Sequence, residues 1–481
     1  MEFFFAVFFL LFYFLRPQDW VPGLIGMNLI KPIIVTWVAA LFMGRSMASP
    51  FPGLLRTPHD WVILSYFIYV VWTAPDSTGA FSGFLPLVAF YALTVQSITS
   101  WERLLSYLKW WTIALVIVSI IANLIPLGID LTGGKAYMEE FGRLCIGTWI
   151  HGNPNSLAHS VVVVMPVAYL LYFWKGSSLG KWVIFPLFAG LAYWCVFQTA
   201  SKGAFVVGGI TLVSVFVIGR PKMVQVFMAV VSLTVGMSAL SFLPRMAQMN
   251  DLRADEGVQG RLLAWEMARG VTKTRSTGAG WQEFVALIDW KEGNTVIHDI
   301  PKATHSSYVQ VGADLGTYGL FLYVAGLWCA VHTLLKFRPA NDDEDRCRRA
   351  LAVLLLATAA SGWMINRQYH TEYFLVIAAT AALHRLRMSR EGVAPPAVEA
   401  PPEDNNPLSE DPDDEESAAT YEMPETERRE DEVAPIFSTR EDTETAPPKP
   451  FWNRLSLMDL AACSGLTYAI FWCWDYILTS L

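Results

Sequence analysis

Apolar runs of roughly 15–23 residues recur along this 481-residue chain, and a bilayer core asks for roughly 20 residues of helix per crossing. They fall near residues 2–15, 29–43, 60–74, 81–98, 104–126, 155–174, 182–199, 203–219, 223–243, 306–335, 349–366 and 371–386, with a last one at 455–479. Residues 349–386 read either as two short helices or as one broken pair. The pattern predicts an all-α polytopic membrane protein of about 12 transmembrane helices plus one extra C-terminal span, with a large extracytoplasmic loop containing short helices. Its parts are a membrane domain over 1–386, a linker over 387–450 and a C-terminal transmembrane helix over 451–481.

Composition agrees. With 53% hydrophobic and 16% charged residues the chain lies outside the soluble globular class. The net charge of −8 hides a segregation: residues 391–450 carry nineteen acids and four bases, a net −15, which leaves +7 for the rest. A basic membrane body favours anionic partners. The acidic stretch is rich in Pro, Glu and Asp and poor in aromatics, so it reads as a disordered linker. Six scattered cysteines without a CxxC pair suggest neither a disulfide framework nor a zinc site. The apolar N-terminus lacks a basic n-region and a small-residue cleavage site, and reads as an uncleaved first span.

Basic residues recur in alternate short connections: Arg45 and Arg56, Arg103 and Lys109, Lys175 and Lys181, Arg220 and Lys222, then Lys336 through Arg349. The positive-inside rule sets these in the cytoplasm together with the N-terminus. The long polar loop at 244–305 is thereby set outside.

Candidate chemistry concentrates in the outer connections. Asn153, Pro154 and Asn155 begin a helix, either as an ordinary cap or as amides and an exposed N-terminus able to hold a phosphate or sugar hydroxyl. Arg143 lies just upstream. Lys202, on the turn Ser201-Lys202-Gly203-Ala204, is either an interface anchor or a cation aimed at the same outer cavity. In the long loop, Arg261 and Trp265 are four apart on one helix face, and Glu266 can pair with Arg269. No acid stands four positions either side of Arg261, and a planar guanidinium suits a diphosphate. An amphipathic helix lying on the membrane surface is the plainer reading. Thr277–Gly280 is more readily a turn than a phosphate loop. His305 opens an apolar helix beside cations, as a helix cap or as a general base; His298 ranks below it. Asp314 lies nine residues on, roughly along the same stripe, and is expected to pair with a cation or to serve the site.

Taken in order, Gly147–Asn155, Ser201–Ala204, Arg261 with Trp265, Gly278–Gly280, His305–Tyr308, and Asp314-Leu315-Gly316 with Gly319 resemble the O-antigen ligase superfamily of lipopolysaccharide O-antigen ligases, polysaccharide polymerases and protein O-glycosylation ligases. The resemblance covers about residues 1–386. It implies an outer-face cavity for an undecaprenyl-diphosphate-linked glycan, with Arg261 on the diphosphate and His305 as the base that deprotonates the acceptor hydroxyl. The family commonly has Ser-Arg-Gly where this chain has Ser201-Lys202-Gly203, Asn where it has Ser306 and Glu where it has Asp314. Lys202 keeps the charge without the bidentate fork.

The expected activity is an inverting glycosyl transfer without metal or cofactor, at the bacterial inner membrane with the site on the periplasmic face. A lipid diphosphate is already a good leaving group, so the site has only to stabilise growing charge and orient the acceptor. The partners are the lipid-linked donor, a glycan, lipid or protein acceptor, and membrane lipid, with no nucleic acid. Rival readings are a polymerase of the same superfamily, a transporter of lipid-linked glycan or of a small anion such as bicarbonate, and a scaffold for an export machine. Transporters place ionisable groups mid-membrane, whereas here they crowd the outer loops.

Overall fold

A computed structural model describes residues 1–43, 54–138, 142–217, 223–224, 226–227, 230, 256–292, 295–392, 452 and 454–480. Most of the expected span at 223–243, the start of the long loop and nearly all of the acidic stretch lie outside the described residues. The chain divides into two compact units, one of residues 1–389 with 452–481 and one of residues 390–451.

The described residues are mostly helical. α1 (Glu2–Leu15) ends on Arg16 in a left-handed conformation and is followed by the single turn α2 (Pro17–Trp20). Next come α3 (Ile30–Met43), α4 (Pro58–Thr73), α5 (Ser77–Ser97) and α6 (Trp101–Leu124). Their starts are fixed locally: Thr57 and Asp60 form a capping box on α4, Asp76 caps α5 and Ser100 caps α6. A short antiparallel pair, β1 (Ala136–Met138) with β2 (Leu144–Ile146), precedes α7 (Pro154–Val161) and α8 (Val164–Ala168). α9 (Phe185–Gln198) and α10 (Lys202–Val217) then form a hairpin turned at Thr199–Ser201.

The long loop folds as α11 (Glu256–Thr274) and an antiparallel hairpin, β3 (Ala286–Glu292) with β4 (Thr295–Lys302). It leads into α12 (Ser307–Lys336), then α13 (Asp342–Ser361), α14 (Thr371–Gly392) and α15 (Leu457–Ser480). α12 is the hub, packing on α4, α11, α13 and α15.

Among the described residues seven helical segments are long and apolar enough to cross a membrane, short of the twelve plus one expected. The expected span at 223–243 lies mostly outside the described residues, and the rest of the shortfall has physical causes. α3 and α4 have 14 and 16 residues, and α13 opens on Asp342, Asp343, Glu344 and Asp345. α14 carries Glu372, Arg385, Arg387 and Arg390 and runs on to Gly392, into the segment read as linker. The spans are also less free of charge than their sequence suggests, since Asp60 on α4 pairs with Arg385 on α14 at 3.0 Å.

α12 is broken near its N-terminal end. Gly316 has φ 65° and ψ −163°, which interrupts the helical ladder. The freed carbonyls of Ala313 and Asp314 accept the N–H groups of Ala279 and Gly280 at 2.9 and 2.7 Å, and Thr317 N–H donates to Ser276 O at 3.0 Å. The Thr277–Gly280 segment is thus a turn that completes a broken helix, as the plainer sequence reading has it. Gly278 (φ 74°) needs its missing Cβ, because that atom would stand 2.5 Å from the Asp314 carbonyl.

Candidate active site

α11 lies against the bundle because one of its faces is apolar. Ala264, Trp265 and Ala268 are buried with Val309 and Ala313 of α12 and with Trp474 of α15. Two indole donors fix the arrangement: Trp265 Nε1–H donates to Thr304 O at 2.7 Å, and Trp474 Nε1–H donates to Trp265 O at 3.2 Å. Arg269 does not take Glu266 as its partner. Its guanidinium grips Asp475 of α15 bidentately, both N···O distances being 2.7 Å, and lies 4.7 Å from the Phe471 ring centroid. A carboxylate held in a fork and beside aromatic rings outcompetes an exposed neighbour one turn away.

This docking brings Arg261 and His305 onto one cavity of about 300 Å³, whose wall also includes Trp265, Trp363, Met364 and Ile477. Apart from Arg261 and His305 the lining is apolar. His305 adopts φ 48°, an uncommon conformation for a residue with a side chain, and such strain tends to collect where geometry serves function. Burial pushes its imidazole down to about 4, and the cations of Arg261 and Lys302 push the same way. It is therefore neutral, a proton acceptor, across the physiological range.

The residues after His305 anchor it. Ser306 caps α12 through Val309 N–H, and its hydroxyl also donates to Gly362 O at 3.2 Å. Ser307 Oγ donates to Ile365 O at 2.8 Å, and Tyr308 OH donates to Ala359 O at 2.8 Å. These bonds bind the mouth of α12 to the α13–α14 connection, which supplies Trp363 and Met364 to the cavity.

The first turn of α10 reaches the same wall. A Cβ on Gly203 would stand 3.2 Å from Met364 and 3.3 Å from His159 Nε2. Lys202, the first residue of α10, is half-buried beside Gly203. His159 of α7 is buried and hydrogen-bonded to Ser361 Oγ at 2.8 Å, and the Arg261 charge reaches it too.

Other expected ligands are bracing groups. Arg143 donates to Thr199 O and to Asn155 Oδ1, both at 2.9 Å, and so ties β2 to α7 and to the turn before Lys202. Asn153 caps α7 by accepting from Ser156 N–H at 2.9 Å. Both match the plain structural use of such residues. His298 sits exposed on β4 against Asp289.

Asp314 departs from its expected place. It does not share a stripe with His305: His305 precedes the helix, and Thr304 separates the two. Its carboxylate is buried and meets neutral donors, Tyr369 OH at 3.0 Å, Phe284 N–H at 3.1 Å and Gln310 Nε2 at 3.2 Å. It faces a second cavity of about 480 Å³ with Trp149, Gln282, Gln310, Asn366 and Gln368. Thr304 is the partition. Its hydroxyl lies 3.0 Å from Gln310 Oε1 and from Asn366 Oδ1 on this side, while its carbonyl takes the Trp265 indole on the other.

Residues 361–370 were not singled out from sequence, yet they line both cavities. Arg367 within them donates to the Ile150 and Ser156 carbonyls and pairs with Glu372. The available signal was the polar run Asn366–His370 between two apolar segments.

No curated protein matches the chain. Residues 185–324, which span α9 to the middle of α12 and include Lys202, Arg261, His305 and Asp314, match the family model described as O-antigen ligase, and this match supports placing this helical membrane protein in the O-antigen ligase superfamily.

Proposed function

We propose that the protein is a glycosyltransferase that moves a glycan from an undecaprenyl-diphosphate carrier to an acceptor hydroxyl, on the outer face of the bacterial inner membrane. The observation that carries this reading is the placing of Arg261 and His305, 44 positions apart in sequence, on the wall of one otherwise apolar cavity. Arg261 grips the diphosphate, Lys202 serves as a second cation, and the apolar wall suits the first isoprene units. The acceptor oxygen attacks the anomeric carbon. The bond from that carbon to the diphosphate oxygen breaks, its electron pair leaves with undecaprenyl diphosphate, and His305 takes the acceptor proton. Displacement from the opposite face inverts the anomeric centre.

A base held near 4 is weak on its own. Arrival of the diphosphate offsets Arg261 and Lys302, the two cations that depress His305, and so raises its proton affinity when the acceptor is to be deprotonated. Site and substrate are matched in this sense.

The experiment is glycan transfer in membranes of a deletion strain carrying wild type, His305→Ala or Arg261→Ala. Loss of transfer with accumulation of lipid-linked donor, at unchanged protein level, supports the reading, and the labelled acceptor then separates ligase from polymerase. Normal transfer by both variants overturns it. The runner-up, transport of lipid-linked glycan or of a small anion such as bicarbonate, draws on buried polar groups elsewhere in the bundle. These are the Asp60–Arg385 pair and Thr333 Oγ1, 3.0 Å from His384 Nδ1.

A further inference from the structure

We propose that the second cavity, on the far side of Thr304 from Trp265, is a saccharide subsite. The proposal rests on the glycosyl-transfer reading.

Its lining has the chemistry of a hydroxyl-rich, uncharged ligand. Gln282, Gln310, Asn366 and Gln368 each carry an amide that both donates and accepts, the pairing a sugar hydroxyl offers in return. Asp314 adds a carboxylate acceptor that no cation neutralises in the hydrogen bonds above. The Gln368 side chain is 7% exposed, and its amide oxygen has no partner among the described residues. A buried acceptor in that condition costs free energy until something donates to it, and a wall of this cavity is where a ligand hydroxyl arrives.

The rim supplies the apolar half of the match. Trp149 is 58% exposed and stacks on His370, with ring centroids 4.9 Å apart and planes within 8°. Burial, with Arg367 beside it, pushes His370 down to about 3, and the Arg16 guanidinium stands over the indole, its Cζ 5.4 Å from the ring centroid. The exposed aromatic edge left by these neighbours can pack on the C–H groups of a pyranose ring.

The two cavities differ in the way two ends of one reaction differ. One is apolar with a cation and a base; the other is amide-lined with an aromatic edge. Lys302 faces the amide-lined cavity, and its charge reaches His305 on the other side. A sugar held against Gln368 and Trp149 lies in the same cavity as Lys302, whose charge acts on the base.

The test places the photoreactive residue p-benzoylphenylalanine at Gln282 of the full-length protein in its own membranes. The same residue at Tyr318, exposed on α12, serves as control. Irradiation is expected to attach a glycosidase-sensitive, sugar-staining ladder at position 282 and none at 318. The ladder's loss in a strain blocked in lipid-linked glycan synthesis identifies the donor sugar, and its persistence identifies the acceptor sugar; both are saccharide outcomes. Gln368→Leu is expected to raise the KM of the sugar so identified roughly two- to tenfold with little change in kcat, the effect of one neutral hydrogen bond. Crosslinks to protein alone, or no glycan at 282 while wild type transfers, overturn the subsite. If His305→Ala and Arg261→Ala still abolish transfer, the subsite alone has failed; if they do not, the transferase reading has failed first.

Discussion

Replacing Asp475 by Ala tests whether α15 holds the site helix in place. α15 lies outside the stretch that carries the superfamily match, yet its Trp474 is fully buried against α11 and α12, and its Ile477 lines the Arg261–His305 cavity. Asp475→Ala removes two charge-assisted bonds of 2.7 Å to Arg269. A bond to a charged partner is worth about 1.5–3 kcal/mol when dry. Asp475 is 42% exposed, so solvent screens the pair and about 1–2 kcal/mol is the reasonable loss. Arg261 lies eight residues before Arg269, about 12 Å along the helix, so loosening at Arg269 lets the guanidinium at Arg261 drift from the cavity. Transfer is expected to fall by up to about tenfold at unchanged protein level. Trp474→Ala deletes a buried aromatic worth about 3–5 kcal/mol and is expected to abolish transfer and lower the thermal midpoint in detergent. Arg269→Asp combined with Asp475→Arg is expected to recover part of the activity that either single change loses. Wild-type transfer and an unchanged midpoint in both Asp475→Ala and Trp474→Ala would refute the docking role.

Three further outcomes follow from the geometry. Because His305 is held down at about 4, its neutral form persists above that pH. The acid limb of kcat/KM, which reports the free enzyme, is expected near pH 4, and a limb at the ordinary histidine value near 6.5 would mean that His305 is neither buried nor faced by Arg261 and Lys302. Gly316→Ala puts a side chain at φ 65° against the Ser276 carbonyl, and a strained residue costs about 1–3 kcal/mol; a fall in thermal midpoint of several degrees should appear, and a midpoint equal to wild type would count against the turn's docking. Asp314→Asn keeps an oxygen for the Phe284 N–H and Gln310 amide donors and turns its own NH2 to the Tyr369 hydroxyl, which can accept, so it should transfer within about threefold of wild type, whereas Asp314→Leu strands those groups in a buried place and should lose most activity; equal activity in both would remove Asp314 from the cavity's polar frame.

The local and the periodic were legible in the chain; the long-range pairings were not. Asn153 before Pro154, the 2–15 run and the Thr277–Gly280 turn each write their conformation within a few residues, and each appears as read. Arg261 and Trp265 share a face by helical spacing, and the structure adds only that this face meets His305. Arg269 shows where such reasoning ends. Its neighbour Glu266 looks like the partner at helical spacing, but the partner is Asp475, 206 positions away, and nothing local to either residue marks that choice. Asp314 reads as pairing with a cation or serving a site; its hydrogen-bond donors prove to be the neutral groups of Phe284, Gln310 and Tyr369, and it lines the amide-rich cavity. Asn155, read either as part of an ordinary helix start or as a ligand for phosphate or sugar, accepts from Arg143, 12 positions upstream. In a bundle that leaves few polar groups to water, the first demand on a buried polar side chain is a protein partner. The residues that remain for chemistry are those whose polar atoms still face a cavity once those bonds are made, and among the described residues His305 on one cavity and Gln368 on the other are such residues.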